Sequence, residues 1–440
     1  MRVILGVAVL FVVIGLVQPL TFTQTRLTAG VVKPRGATRT SSGAPTTNSV
    51  TEAPAGYDNI SNGYLSQSDF DETKGIYEER DDIAKGLGPV YNAQSCAECH
   101  QSPTTGGISQ ISVLRAGHLD SKGNFVDAPG GSLINDRAID PAIQEVVPDG
   151  ENIRTFRASL NTLGDGYVEA IDDSTFTTIA QQQAQATNGF IQGQVVWVQI
   201  LEDPGLWRVG RFGWKDQHAS LLSFSGDAYV NEIGITNRLF KTENTSLGRS
   251  VAAYDMVPDN GPSGEDKDND IDAFAAFMRA TKPPSRDWSI GNSSDSKAGE
   301  NLFNQVGCNI CHMSTIPTAS PDKLLGDKSK GIPSLIPGIN STQAQMLGNK
   351  NIHPYSDFLL HDVGTGDGIV QNGGQITAHK MRTSPLWGLR THNRYMHDFQ
   401  TVTLMDAIMR HGGEASQVIN NFSHLNAADQ KRLITFLRSL

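Results

Sequence analysis

Two short stretches concentrate the side chains best suited to chemistry. NAQSCAECHQS holds Cys96, Cys99 and His100, and VGCNICHMS holds Cys308, Cys311 and His312. These four thiols are the whole cysteine complement. C-x-x-C-H is the attachment signature of c-type haem: both thiolates add to porphyrin vinyl groups, and the adjacent imidazole ligates the iron. Two residues between the sulphurs let one turn of chain straddle an edge of the macrocycle, so the next residue lies under the metal. Taken alone, a C-x-x-C is a redox dithiol or half of a zinc site, and four cysteines could share one ion. The halves stand more than two hundred residues apart, and neither alternative explains a histidine in the same place twice. The expected cofactors are two covalently bound haem c groups, which leave no thiol for a disulfide.

The elements that position these motifs must come from a chain of 440 residues, long enough for two to three units. The net charge is -10 and no basic run suggests nucleic acid; an acidic surface suits basic or neutral redox partners. Residues 1–27 open on one arginine followed by an apolar run, which is read as a signal peptide or N-terminal anchor. The run is short for a spanning helix of about 20 residues. Periplasmic or otherwise exported placement follows, with membrane attachment through the N-terminus as the alternative to cleavage. Residues 28–56 are rich in Thr, Ser, Pro, Gly and Ala and read as a flexible linker.

The remainder reads as mainly α, in two tandem cytochrome c-like haem domains at 57–284 and 285–440. SKAGENLFNQVGCNICH places a short helix before the second motif, with Leu302, Phe303 and Val306 on one side. AFAAFMRATKPP and RLITFLRSL share an apolar i, i+3, i+4 pattern, with Phe274, Phe277 and Met278 matched by Leu433, Phe436 and Leu437. Each closes a unit containing one C-x-x-C-H. The first unit carries a long insertion between about Leu119 and Trp207, with DSTFTTIAQQQAQAT as a capped helix and GQVVWVQILE as a strand in a small β element. Pro283-Pro284 ends that unit.

The blocks GLGPVYNAQSCAECH, GDGYVEAI and VGRFGWKDQHASLLSFSGDAYVNEIGITN, then LLHDVGTGDG, MRTSPLWGLR and YMHDFQTVTLMDAIMRHGGEA, resemble the bacterial di-haem cytochrome c peroxidase and MauG superfamily. The nearest resemblance is to its di-haem oxidoreductase branch, often labelled thiol oxidoreductase-like. It spans nearly everything after residue 70. No thiol is left to support the thiol label.

The resemblance implies roles for individual residues. Thr403 caps a helix whose one face holds Leu404, Ile408 and His411, and Gly412-Gly413 ends it. In the peroxidases, the residue fourteen after the His of Y-[MF]-H-D-G is the methionine on the C-terminal haem, and that register gives His411, with Met409 and Met405 as other candidates. A thioether raises the reduction potential of haem, so a histidine there is expected to lower it. Trp214, in VGRFGWK, matches the tryptophan between the two haems, and Arg211 would pair with a propionate or else form a surface salt bridge. Glu232 matches the acid over the open N-terminal haem and would exchange protons with peroxide. His218 is a second candidate for that pocket. His118 stands where some peroxidases carry a removable distal ligand, although RAGHLDSKGNF reads as a polar turn. His361 and His397 read as architectural. A calcium ion is a further expectation of the family.

The functional expectation is a peroxidase-like oxidoreductase, in which a C-terminal haem (His312, His411) exchanges electrons with a reactive N-terminal haem (His100). Its partners would be a small-molecule oxidant or substrate and a redox protein. The alternatives are a non-catalytic electron-transfer cytochrome and a haem oxidase or oxygenase acting on an organic or sulfur substrate.

Overall fold

Each C-x-x-C-H is preceded by an amphipathic helix that packs against a helix far along the chain. The computed structural model describes residues 49–257, 259 and 261–440, so the segment at 1–27 and most of the linker lie outside the described residues. Before the first motif, the helix Gln67–Glu78 is capped by the Ser66 hydroxyl, which accepts from Asp69 N. Its Phe70 and Tyr77 meet Phe277 of the helix Asp270–Ala280, with ring centroids 5.3 and 4.8 Å apart. Before the second motif, the helix Ser294–Val306 lies on the helix Ala427–Leu437, with Phe303 5.3 Å from Phe436. The close crossing needs Gly299, because a Cβ there would stand 2.0 Å from Arg432 O. Burial of these aromatic faces drives both pairings.

Around these pairs lie two main cores. One joins Tyr77, Phe274 and Phe277 to Tyr167, Phe176 and Phe358; the other gathers Phe303, Phe422, Phe436 and Leu437 around the second motif. The described residues contain 13 α-helices, and their sheets are small. They fall in one unit.

The insertion holds more β structure than its sequence suggests. The helix Asp173–Ala186 forms as expected, capped by Asp172, and the hairpin Trp197–Gln199 with Trp207–Val209 contains the expected strand. A four-stranded antiparallel sheet stands beside them. Its central strand Ser112–Leu119 pairs with Phe125–Asp127, Leu133–Ile134 and Ile153–Ala158. The polar turn expected around His118 is therefore shorter, and Asp120 to Asn124 closes it. The ordered chain also begins before Tyr57: Thr51–Glu52 pairs in parallel with Lys350–Asn351. That pairing uses backbone groups, so it needs none of the apolar residues that the linker lacks.

Candidate functional site

Both motifs fold into the same local turn. Ser95 Oγ accepts from Glu98 N and caps the helical turn Cys96–Cys99; Gly307, at φ 102°, turns the chain into Cys308–Ile310. In each, the histidine N–H returns to the first cysteine's carbonyl, His100 N to Cys96 O at 3.0 Å and His312 N to Cys308 O at 2.9 Å. The two sulphurs and the imidazole thus issue from one turn.

Three half-buried histidines share one hydrogen-bond pattern. His100 Nδ1 lies 2.7 Å from Leu160 O, His312 Nδ1 2.9 Å from Tyr355 O, and His411 Nδ1 2.8 Å from Ala407 O. A carbonyl only accepts, so each Nδ1 carries the proton and Nε2 presents its lone pair, the arrangement that a metal-bound imidazole uses. Burial pushes His100 and His312 down to about 4 and lowers His411, so all three are neutral donors at pH 7. His424 makes a similar bond but is exposed, and it belongs to no cavity.

Two cavities adjoin the motifs. One, of about 240 Å³, is lined by Cys308, Cys311, His312 and His411, with Phe303 and Leu404 among its apolar walls. The other, of about 170 Å³, is lined by Cys96, Cys99 and His100, and its polar groups include Glu232, Asp227, Arg115 and Arg157. The donor sets differ: the second motif's cavity brings two such histidines together, and His100 is the histidine among the described residues lining the first. Met405 and Met409 line neither cavity.

Glu232 sits in a single π-helical turn, Tyr229–Ile233, closed by Gly234 at φ 86°. Asn92 N and Ala93 N both donate to Glu232 O, at 2.7 and 3.0 Å, which pins the turn to the segment entering the first motif. A π-turn adds a residue to the helix and re-aims the side chains around it. The Glu232 carboxylate accepts from Asn92 Nδ2 at 2.8 Å, and burial raises its pKa above the ordinary range. Trp214 lines both cavities, together with Ala158, Ser159 and Leu160. Its Nε1 donates to Ala158 O at 2.9 Å, and its ring meets His397 edge-on with centroids 6.0 Å apart.

Other expected residues are placed differently. Arg211 is fully buried and lines neither cavity; its guanidinium donates to Val209 O and Ile171 O at 2.8 and 2.7 Å and pairs with Asp173. With its donors saturated in this way it is a structural cation and does not reach a haem propionate. His118 also lines neither cavity, and its Nδ1 lies 2.9 Å from Glu151. The strand directs it away from His100. His218 stands one step behind the first cavity, with Nε2 3.1 Å from Asp227. His361 and His397 both line the second cavity.

The cations that the sequence reading missed are Arg115 and Arg157. Register pairs Val113 with Arg157, so Val113, Arg115 and Arg157 share the sheet face that walls the first cavity. Arg157 Nε pairs with Asp367 at 2.8 Å, while Arg157 Nη2 and Arg115 Nε are buried with no protein partner. Burial and the neighbouring Arg115 push Arg157 down to about 10. Buried guanidinium N–H groups beside an apolar cavity and a thiol pair suit the carboxylates of a haem. A separate carboxylate group, Glu243, Asp259 and Glu265, converges within 4.8 Å.

A family model described as "Di-haem oxidoreductase, putative peroxidase" matches residues 145–440. The match includes the second motif, Trp214, Glu232 and His411, and begins after the first motif. No curated protein matches the chain. Among solved structures, the diheme peroxidase BthA of Burkholderia thailandensis is 14% identical with a TM-score of 0.40, covering 90% of this chain and 95% of that one. A MauG-like protein associated with microbial copper homeostasis is 14% identical with a TM-score of 0.39, over 90% and 94% of the two chains. Hydrazine synthase of Kuenenia stuttgartiensis is 16% identical with a TM-score of 0.36, over 95% and 100%.

Proposed function

Because the chain belongs to the di-haem oxidoreductase family, we propose that it is an exported, peroxidase-like oxidoreductase with two tandem cytochrome c-like units. Cys96 and Cys99 hold one haem c covalently, and Cys308 and Cys311 the other. When bound, these groups supply the iron that reduces a small oxidant such as peroxide and the electrons that do so. The chain's own residues divide the rest. His312 and His411 both line one cavity and would hold its haem through Nε2, and that group would supply electron exchange with a redox protein. His100 is the one histidine among the described residues lining the other cavity and would hold its haem through Nε2, which would leave room there for a small oxidant. Glu232, whose pKa burial raises and whose carboxylate is thereby made a stronger proton acceptor, would take a proton from the incoming peroxide and return it to the departing oxygen. Trp214, in contact with both cavities, is the electron bridge. Arg115 and Arg157 orient the first haem through its carboxylates.

The observation that carries this reading is the asymmetry of the cavities: two tethered histidines in one, a single histidine and a buried acid in the other. A pure carrier has no use for that acid. Low-temperature electron paramagnetic resonance of the oxidised, haem-loaded protein tests it. One high-spin signal that disappears on adding peroxide is expected; two low-spin signals without peroxide turnover would make the protein a carrier.

A further inference from the structure

His361 lines the second cavity and belongs to none of the roles above. It is buried between two carboxylates, with Nε2 2.9 Å from Asp357 Oδ2 and Nδ1 2.8 Å from Glu414 Oε2. Each carboxylate is filled from other donors too. Asp357 accepts from Gln183 Nε2 at 2.6 Å and from Leu359 N at 3.0 Å. Glu414 accepts from Gln192 N at 3.0 Å and from Asp362 N at 3.1 Å. Amide and backbone N–H groups donate to both acids, which favours the ionised form of each, and a histidine flanked by two such carboxylates suits an imidazolium that donates from both nitrogens. Burial opposes that charge, and the Asp357 carboxylate overrides the opposition and holds His361 well above its ordinary value. The three groups by themselves sum to minus one, and Arg382, which lines the same cavity, is a further cation facing Asp357.

Its position ties together both sides of the second haem site. Cys311 Sγ, Asp357 and His361 offer atoms within 4.8 Å of one another. Asp357 follows by two residues the Tyr355 carbonyl that holds His312, and Glu414 follows His411 by three. Gln183, from the insertion, donates to Asp357 and to Ile310 O, at 2.6 and 2.8 Å. Resting on the di-haem reading, we infer that Asp357, His361 and Glu414 are positioning residues for the second haem and that their fixed net negative charge sets its reduction potential. A buried anion near the iron favours the oxidised, more positive state.

The test is potentiometric titration of the haem-loaded protein at pH 8, following the low-spin haem. Glu414→Gln removes a negative charge and raises that midpoint. His361→Gln removes a positive charge and lowers it. A purely structural role would move both variants the same way, because either loosens the ligands. Shifts of one sign, or no shift while a pyridine haemochrome assay still counts two haems, overturn the inference and leave the di-haem reading standing. A wild-type count below two removes that reading and takes this inference down with it. If His361→Gln does not fold, Glu414→Gln decides alone, and an unmoved or lowered midpoint overturns the proposal.

Discussion

Glu232, Trp214 and His411 are each placed by one side chain's surroundings, and each makes a separate prediction. Replacing Glu232 by Gln keeps the bond to Asn92 but removes the proton acceptor, so peroxide turnover should fall by about 10²–10⁴-fold while the high-spin signal persists. Burial raises the Glu232 pKa, so the acid limb of the wild-type pH profile should lie above the ordinary carboxylate range and vanish in the variant. A profile that kept its limb would assign the titration to another group. His411→Ala should expose the second iron as a new high-spin species, since Met405 and Met409 line neither cavity; an unchanged spectrum would reject the ligand. That these residues line the cavities was legible because register in a named motif fixes where a side chain can point. Arg211 was not legible in the same way. An arginine that cages backbone carbonyls and one that meets a propionate look alike until burial and donors are counted. Arg115 and Arg157 were missed because their common face exists only once the two strands pair.

At the scale of elements, the two helix pairs were readable from their apolar period and the insertion's sheet was not. The strands around Ser112–Leu119 are short, carry glycine, and alternate imperfectly because one face borders a cavity and the other packs on only a small apolar cluster of Ala116, Ala128 and Ile134. What the insertion does follows from its contacts. Its loop 158–160 lines both cavities, its strand Ile153–Ala158 supplies Arg157 and pairs with the preceding strand that carries Arg115, and its helix sends Gln183 to the second motif. Glu169, just ahead of that helix, grips Arg279 of the first terminal helix in a two-pronged pair at 2.7 and 2.8 Å. The insertion is thus a framework for both sites. The second helix pair gives the clearest element-level test. Gly299→Ala puts a methyl where Arg432 O stands and should destabilise by about 1–3 kcal/mol through overpacking. Phe303→Ala should cost about 3–5 kcal/mol by opening a cavity in the second core. Urea midpoints read both, and a neutral Gly299→Ala would mean that the helices can separate without loss.

Across the whole molecule, burial lifts several carboxyl groups together. Asp81 and Asp165 rise to about 7, Asp266 to about 6, Glu265 to about 7 and Glu243 to about 9. The chain already carries a net charge of -10, which adds general repulsion as further acids ionise. In each of these groups the folded pKa lies above the unfolded one. Their favourable contribution is therefore complete below the unfolded values, near 4, and is lost as pH rises through the folded values, between about 6 and 9. The urea midpoint of the haem-loaded protein should fall steadily from pH 7 to pH 9, above the range in which the histidines that burial pushes down act in the opposite sense. Glu243 and Glu265 make a large part of that slope, because burial and repulsion from neighbouring acids, Asp255 and Asp259 among them, act on both, and Glu243→Gln should flatten it. Millimolar calcium at pH 8 should restore stability in the wild type but much less in the variant, since a divalent cation relieves the same repulsion that the substitution removes. A midpoint flat across this range would mean that the folded protein ionises these acids without strain, and the charge ledger of the interior would have to be redrawn around groups other than these five.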